Sequence, residues 1–377
     1  MSGPLTGTTV VELAGIGPGP FAAMLLADLG AEVVRVERPS RGGVPSASPA
    51  DALNRGKRSV VLDLKDPAAV EAVLALCADA DVLIEGNRPG VTERLGLGPE
   101  DVWARNPRLV YGRMTGWGQD GPLASRAGHD IGYIAVTGAL HAIGEHDGPP
   151  QVPLNLLGDF GGGSTYLVVG VLAALLEARG TGHGQVVDAA IVDGTSHLLA
   201  AIHTLLGSGR WRDERGVNLL DGSTPYYAVY ATSDGGHMAV GAIEAKFYAQ
   251  FVELLGADAD PALQNDRSTW PETRERVSAA FATRTRAEWT AVFSDTDACV
   301  APVLSLTEAA SHPHVAARGS IVERDGLLRP GPAPRFPSHP GDADRPAYAP
   351  GADTRALLTA AGVDAEALLS AGAAVQG

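Results

Sequence analysis

The sequence predicts an α/β protein with a large Rossmann-like domain and a smaller α+β domain. Three observations carry this. Strand-like and helix-like apolar runs alternate through the first half of the chain, which implies parallel βαβ units with right-handed crossovers. After residue 225 the pattern changes to a hairpin followed by helices. The 377 residues also exceed what one simple core organises, so two domains are expected.

The elements follow in order. Thr9 to Leu13 is a buried strand, and Phe21 to Leu29 is a helix closed by Gly30. Glu32–Val36, Ser59–Leu64, Asp81–Glu85 and Leu109–Met114 are further strands, with a helix from Pro67 to Cys77. Tyr166 to Arg179 is an apolar helix ending near Gly180, and Gln185 to Ile191 is a strand that leads into a helix around His197 and His203. The polar, Gly-rich stretch from Ser208 to Ser223 reads as a linker. Tyr226 to Ala242 is a hairpin turning at Asp234-Gly235-Gly236, and Phe247–Leu255, Glu272–Phe281 and Arg286–Phe293 are helical. Seven prolines between 330 and 350 exclude a regular element there, and the Ala/Leu-rich tail from Asp353 is helical. The expected division is a large domain over 1–190, a linker over 191–224, a small domain over 225–305, a return linker over 306–335, and a segment over 336–377 that packs on the large domain.

Composition narrows the function. Lys and Arg number 29 against 44 Asp and Glu, a formal net charge of −15, which argues against nucleic acid and anionic membranes as partners. The most apolar stretch, Tyr166 to Leu176, is too short to span a bilayer. No signal peptide is read in the first thirty residues, so a cytoplasmic location is expected. Cys77 and Cys299 sit in apolar surroundings and are expected as buried, reduced thiols. No C-x-x-C pair occurs, and the pairs His141/His146, His197/His203 and His312/His314 lack a ligand spacing, so no metal site is expected.

Several segments carry candidate chemistry. Gly15-Ile16-Gly17-Pro18-Gly19-Pro20 lies between a strand and a helix, but Pro20 stands where a dinucleotide fingerprint needs its third glycine, and Pro18 and Pro20 lack N–H groups. A proline-started helix after a tight turn is the simpler reading. From Arg35 to Arg58 the cations Arg35, Arg38, Arg41, Arg55, Lys57 and Arg58 face only Glu37 and Asp51, a local charge of +4, with Arg88 and Arg94 after the next strand. Arginines near strand carboxyl ends suit a small polyphosphate ligand, and solvated loop charge is the alternative. Asp159 precedes Gly161, Gly162 and Gly163 just ahead of the apolar helix, which places it near a helix N-terminus, where backbone N–H groups could hold an oxyanion. His129 follows the Gly/Pro-rich loop Gly116–Pro122 and has a side chain suited to general base work, and Glu244 ends an apolar strand.

Taken together these segments resemble family III CoA-transferases over nearly the whole chain. The resemblance rests on Thr9–Gly15, Leu29–Pro39, Asn54–Leu64, Glu85–Val91, Gly116–Pro122 and Gly184–Asp188. Within that family Ala127-Gly128-His129-Asp130, Leu157–Ser164 and Val240–Glu244 are similar to the members that racemise thioesters. The resemblance implies an intertwined homodimer with shared active sites, an acyl-CoA substrate and no separate cofactor. It implies inversion of the α-carbon of 2-methylacyl-CoA thioesters through an enolate, with His129 and its partner Glu244 serving the S face and Asp159 the R face. It places Arg38, Arg55, Asn87, Arg88, Arg94, Gly128 and Tyr133 on the CoA-binding surface. To this the residues themselves add Gly161 and Gly162 as backbone donors to the enolate oxygen. The rival is CoA transfer with Asp159 as nucleophile; His129, where transferases usually carry an aromatic residue, and Ala242–Lys246, where they tend to carry a glycine-rich loop, speak against it.

Overall fold

A computed structural model describes residues 3–40, 43, 45, 48, 51–341 and 348–377. In chain order come β1 (Thr9–Leu13), α1 (Pro18–Asp28), β2 (Glu32–Glu37), β3 (Arg58–Leu62), α2 (Pro67–Ala78), β4 (Val82–Glu85), α3 (Val91–Arg94), α4 (Pro99–Trp103), β5 (Val110–Thr115), α5 (Asp130–Val136) and α6 (Ala139–Ala142). A π-helix, Leu156–Ser164, then runs directly into α7 (Thr165–Thr181), followed by β6 (Val186–Ala190), α8 (Ile191–Leu198) and α9 (Ala200–Gly207). Next are β7 (Tyr227–Ala231), β8 (His237–Gly241), α10 (Ala245–Leu255), α11 (Trp270–Phe281), α12 (Arg286–Phe293), β9 (Val300–Pro302), α13 (Leu306–Ser311) and α14 (Pro313–Arg318). The chain closes with β10 (Ile321–Arg324), β11 (Leu327–Pro330), α15 (Thr354–Ala360), α16 (Ala365–Ala371) and β12 (Ala374–Val375).

Two compact units result. The first comprises Met1–Thr137, Leu154–Leu198 and Ala310–Gly377, and the second Gly138–Pro153 and Leu199–Ala309. In the first unit seven strands lie in the order β12-β3-β2-β1-β4-β5-β6, all parallel except β12. Parallel strands are covered on both faces, which is why β1 and β2 read as near-continuous valine runs. Alternate residues feed opposite cores: Val11 and Leu13 face the α2, α15 and α16 side, and Val10 faces the α1 and α7 side. The C-terminal segment completes the first core. Leu357, Leu358, Leu368 and Ala374 are buried in it, and the Asp353 carboxylate accepts the Ser59 N–H at 3.0 Å.

The helix that carries the glycines starts earlier than expected. The helical run Leu156–Thr181 has 26 residues and is long and apolar enough to cross a membrane by length and composition. Its inner face, including Leu167, Val171, Ala174 and Leu175, is buried in the first unit's core.

In the second unit β7, β8 and β9 form an antiparallel sheet. The turn between β7 and β8 is closed by Asp234 Oδ1, which accepts from Thr232 Oγ1 at 2.6 Å and from the Gly236 N–H at 3.3 Å. Ala228, Tyr230, Met238 and Val240 point inward onto Phe251, Phe281, Trp289 and Phe293. The stretch 208–223 differs from the expected linker. Asn218 is fully buried, and its amide donates to the carbonyls of Arg212 and Glu214, while Asp221 accepts the N–H groups of Val217 and Asn218. Polar residues of the kind that fill linkers here satisfy the backbone of a packed loop instead.

Glu12, on β1, is only 1% exposed and lies between two buried cations, Arg35 on β2 and Lys57 just ahead of β3. Lys57 Nζ is 2.7 Å from Glu12 Oε2 and also donates to Pro20 O at 3.0 Å and Asn54 Oδ1 at 2.9 Å. Burial lowers the Lys57 pKa, with Glu12 opposing. Removing the carboxylate leaves two buried cations facing each other. Glu12→Ala is expected to destabilise the protein by about 3–5 kcal/mol. Glu71→Ala, which breaks the half-exposed pair with Arg105, should cost roughly 1 kcal/mol or less. Urea unfolding of the two variants beside the parent checks the contrast.

Candidate active site

The strand order reverses between β1 and β4, and the loops leaving the carboxyl ends of β4 and β5 carry Asn87, Arg88, Gly128 and His129. After β1, Gly17 takes φ 73° as the N-cap of α1, and Pro18 starts the helix. A Cβ on Gly17 would stand 3.3 Å from Asp159 Oδ2, so this turn closes directly against that carboxylate. Ser164 Oγ donates to Pro18 O at 2.8 Å, and the rings of Phe21 and Phe160 stack with centroids 4.3 Å apart. Two clefts, of about 290 and 380 Å³, open at the opposite edge of the sheet, among residues such as Asp81 and Arg108 or Thr9 and Arg58, away from these loops.

Asp159 lies inside the π-helix. Five-residue bonding widens the turn and shifts side chains out of α register, a device common at functional sites. Asn155 Nδ2 donates to Asp159 Oδ2 at 3.3 Å, and the Asp159 N–H donates to Asp130 Oδ1 at 2.6 Å. The Asp159 carboxyl is held above its ordinary pKa, chiefly by burial. The Asn155 hydrogen bond opposes that shift, Asp130 adds to it, and His129 opposes it.

His129 is exposed and caps α5, one residue ahead of buried Asp130. Tyr133, 8% exposed, sets its ring edge-on to Trp117 at 4.7 Å and covers Gly116 and Gly128. A Cβ at either glycine would fall 1.9 or 2.5 Å from that ring, so no larger residue fits. The phenol's pKa is raised first by burial and then by Asp159, with Arg88 opposing. His129, Asp159, Tyr133, Gly128 and Arg88 are therefore brought to one place. Glu244 belongs to the second unit, where it is exposed as the N-cap of α10. Gln264 Nε2 fixes the chain beside it by donating to the carbonyls of Ala242 and Ile243 at 3.1 and 2.8 Å.

The sequence profile of CoA-transferase family III matches residues 5–354. The chain belongs to this family. It is 46% identical over 347 residues to the human protein named alpha-methylacyl-CoA racemase, covering 90% of this chain and 89% of that one. It is 30% identical over 381 residues to the mouse succinyl-CoA:glutarate CoA-transferase, covering 94% and 86%. In structure it is similar to a CAIB/BAIF family protein from Brucella suis, with TM-score 0.79, 28% identity, and coverage of 96% of this chain and 100% of that one.

Three expectations are corrected within this family III fold. First, most of the basic window is internally paired. Besides Arg35 and Lys57 on Glu12, Arg55 meets Asp28 at 2.6 Å, and Arg58 meets Glu32 at 2.8 Å and Asp353 at 3.1 Å. The window counted positive because these acids lie outside it in sequence. Arg38, Arg88 and Arg94 are exposed, and Arg41 lies outside the described residues. Arg55 is 5% exposed, and its Nη1 has no hydrogen-bond partner among the described residues. Second, Gly161 and Gly162 sit within the helical run and not at its start. Their smallness serves packing: a Cβ on Gly162 would stand 2.5 Å from Thr195 Oγ1 on α8, and one on Gly161 3.1 Å from Leu156 O. Third, Cys299 is exposed, whereas Cys77 is buried with its thiol pushed up to about 12.

Sequence reasoning overlooked the roles of Asp130, Asn155, Gly17 and Gly158. The one available signal was the repeated Gly-x-Asp and Gly-Asp grouping around Gly128–Asp130 and Gly158–Asp159. It also overlooked Arg113, on β5, which donates to Glu93 Oε1 and to Gln119 Oε1, each at 2.5 Å, and so ties together the loops after β4 and β5.

Beside Arg113, Glu85 is 2% exposed and accepts the Asn87 N–H at 2.6 Å. Burial pushes its pKa up to about 7 from the ordinary 4.5, against the pull of Asn87 and Arg113. Between those values the folded chain binds more protons than the unfolded one, so this group's contribution to stability falls as pH rises from about 4.5 to about 7. Glu85→Gln, neutral throughout, should remove that slope. From pH 5 to pH 8 the parent should lose about 2.5 kcal/mol more than the variant, as urea unfolding at the two pH values would show.

Proposed function

We propose that this chain inverts the α-carbon of 2-methylacyl-CoA thioesters by 1,1-proton transfer. The observation that carries the reading is the gathering of His129 and Asp159 in one site, two acid–base groups of different type within electrostatic reach of each other. The 46% identity to a protein named as such a racemase supports it. On the S face the His129 imidazole, with Glu244 as partner, takes the α-proton, and the C–H electron pair moves into the enolate. Asp159, held above its ordinary pKa chiefly by burial, returns a proton on the R face. The reverse reaction exchanges the roles. Acid–base groups suffice for this chemistry, so the reading needs no cofactor beyond the CoA carried by the substrate.

The exposed guanidinium groups of Arg38, Arg88 and Arg94 suit the phosphates of CoA. In this reading Asn87, Gly128 and Tyr133 belong to the same CoA-binding surface, as does Arg55, whose buried Nη1 has no hydrogen-bond partner among the described residues. In the first unit Leu156, Val169, Leu176 and Leu198 are apolar and exposed, which supports a homodimer that covers them. Free Cys77 and Cys299 fit a cytoplasmic location.

The test is incubation of one epimer of 2-methyldecanoyl-CoA in D₂O. Racemisation with deuterium at the α-carbon and no acyl acceptor is expected. Acyl exchange between CoA and a free acid without α-exchange would mean that Asp159 acts as a transferase nucleophile. His129→Ala and Asp159→Ala should each lower kcat for inversion by about 10²–10⁴-fold, and full activity in either overturns the two-base assignment.

A further inference from the structure

We propose that Asp130 is a positioning residue for Asp159: its carboxylate holds the π-helical turn that carries Asp159 and so sets the separation of the two proton-transfer groups. This rests on the racemase reading above. The first turn of α5 holds both groups. The His129 carbonyl accepts the N–H groups of Gly132 and Tyr133, at 2.8 and 3.3 Å, which fixes the backbone of His129 to the helix. One residue on, Asp130 Oδ1 accepts the N–H of Asp159 at 2.6 Å.

The contact is built into the packing. Asp130 is 7% exposed, and its Oδ2 is buried without a hydrogen-bond partner among the described residues. A buried carboxylate with so little support is costly unless it serves another need. A Cβ on Gly158 would stand 2.3 Å from Asp130 Oδ1 and 2.9 Å from Ile134 Cγ2, so the π-helix needs glycine there to let the carboxylate in. The groups acting on Asp159 are Asp130 and His129 from α5 and Asn155 from the turn before the π-helix; the phenol of Tyr133 feels Asp159 in turn. The turn Gly15–Pro20, which Gly17 sets against the Asp159 carboxylate, contains no charged side chain.

The test compares the full-length parent with Asp130→Ala and Asp130→Asn, using each epimer of 2-methyldecanoyl-CoA in D₂O. The readouts are kcat, KM, their pH profiles, and the α-deuterium uptake of each epimer separately. Asp130→Ala should lower kcat by about 10²-fold, the scale of an ångström-sized misplacement, with KM within about threefold. Deprotonation of the epimer served by Asp159 should fall more than that of the other. Asp130→Asn, whose amide oxygen still accepts the N–H, should recover most of the rate. Its Asp159 limb should move to lower pH, because the neighbouring negative charge is gone. The proposal is overturned if Asp130→Ala keeps kcat within about threefold of the parent, if both epimers slow equally, or if the Asp130→Asn limb does not move. Should Asp130→Ala fail to fold, the Asp130→Asn limb and epimer ratio decide the matter. A parent that exchanges no α-proton from either epimer sinks the racemase reading itself, a result distinct from parental exchange that the variants leave intact.

Discussion

Glu12, buried between Arg35 and Lys57, is the interaction on which the first unit's site depends. The three residues tie β1, β2 and the start of β3 together, and they also reach beyond the sheet. Arg35 Nη2 donates to Gly15 O at 3.3 Å and Lys57 Nζ to Pro20 O at 3.0 Å, so the turn Gly15–Pro20 is held at both ends. That turn lays Gly17 against the Asp159 carboxylate and offers Pro18 O to Ser164 at the end of the π-helix. Apolar residues of similar volume would often match a buried ion pair in stability. They would not supply two donors to a backbone turn, and this is the physical reason for placing charge here.

The π-helix answers a second constraint. α7 must pack on the sheet through Leu167 and Val171, while the chain ahead of it must pass against α8 and α1. Gly162 and Gly163 permit the first approach: Cβ atoms there would collide with Thr195 on one side and with Ile191 and Met114 on the other. A wide turn lined with glycine fits that space and carries Asp159 toward the Gly17 turn and α5. Glycines normally oppose a helix interior. Here tertiary packing overrides that preference, which is why the run of three read as the end of a loop.

Much of the fold was legible because it rests on local patterns. The valine runs of β1 and β2, the turn at Asp234-Gly235-Gly236 and the left-handed Gly30 each announce themselves within a few residues. His129 and Asp159 were legible for a related reason, being reactive side chains flanked by glycine. What escaped depends on partners distant in sequence. Arg58 finds Asp353 across 295 positions, Arg55 finds Asp28 across 27, and Asp159 donates its N–H to Asp130 across 29. A charge count over a window cannot register neutralisation from outside it. Cys299 escaped likewise, since its apolar neighbours in sequence do not cover it in the second unit.

The same distinction bears on how an acidic protein serves an anionic substrate. The net charge of −15 describes the whole surface, and beyond about 10 Å salt screens it. At the carboxyl edge of the sheet the nearer charges decide. Pairing with Glu12, Asp28, Glu32 and Asp353 neutralises most of the basic window and leaves Arg38 exposed beside Arg88 and Arg94, which in the proposed reaction suits the compact phosphates of one CoA and not an extended polyanion. Away from those arginines burial raises the pKa of Asp159, and the negative potential of Asp130 adds to that shift. In the proposed reaction these demands oppose each other, because cations that hold phosphate also favour ionised carboxylates, whereas the acid on the R face must hold its proton. Placing the second carboxylate against the backbone of the first meets both, since its field acts at Asp159 while the arginines stand on other loops.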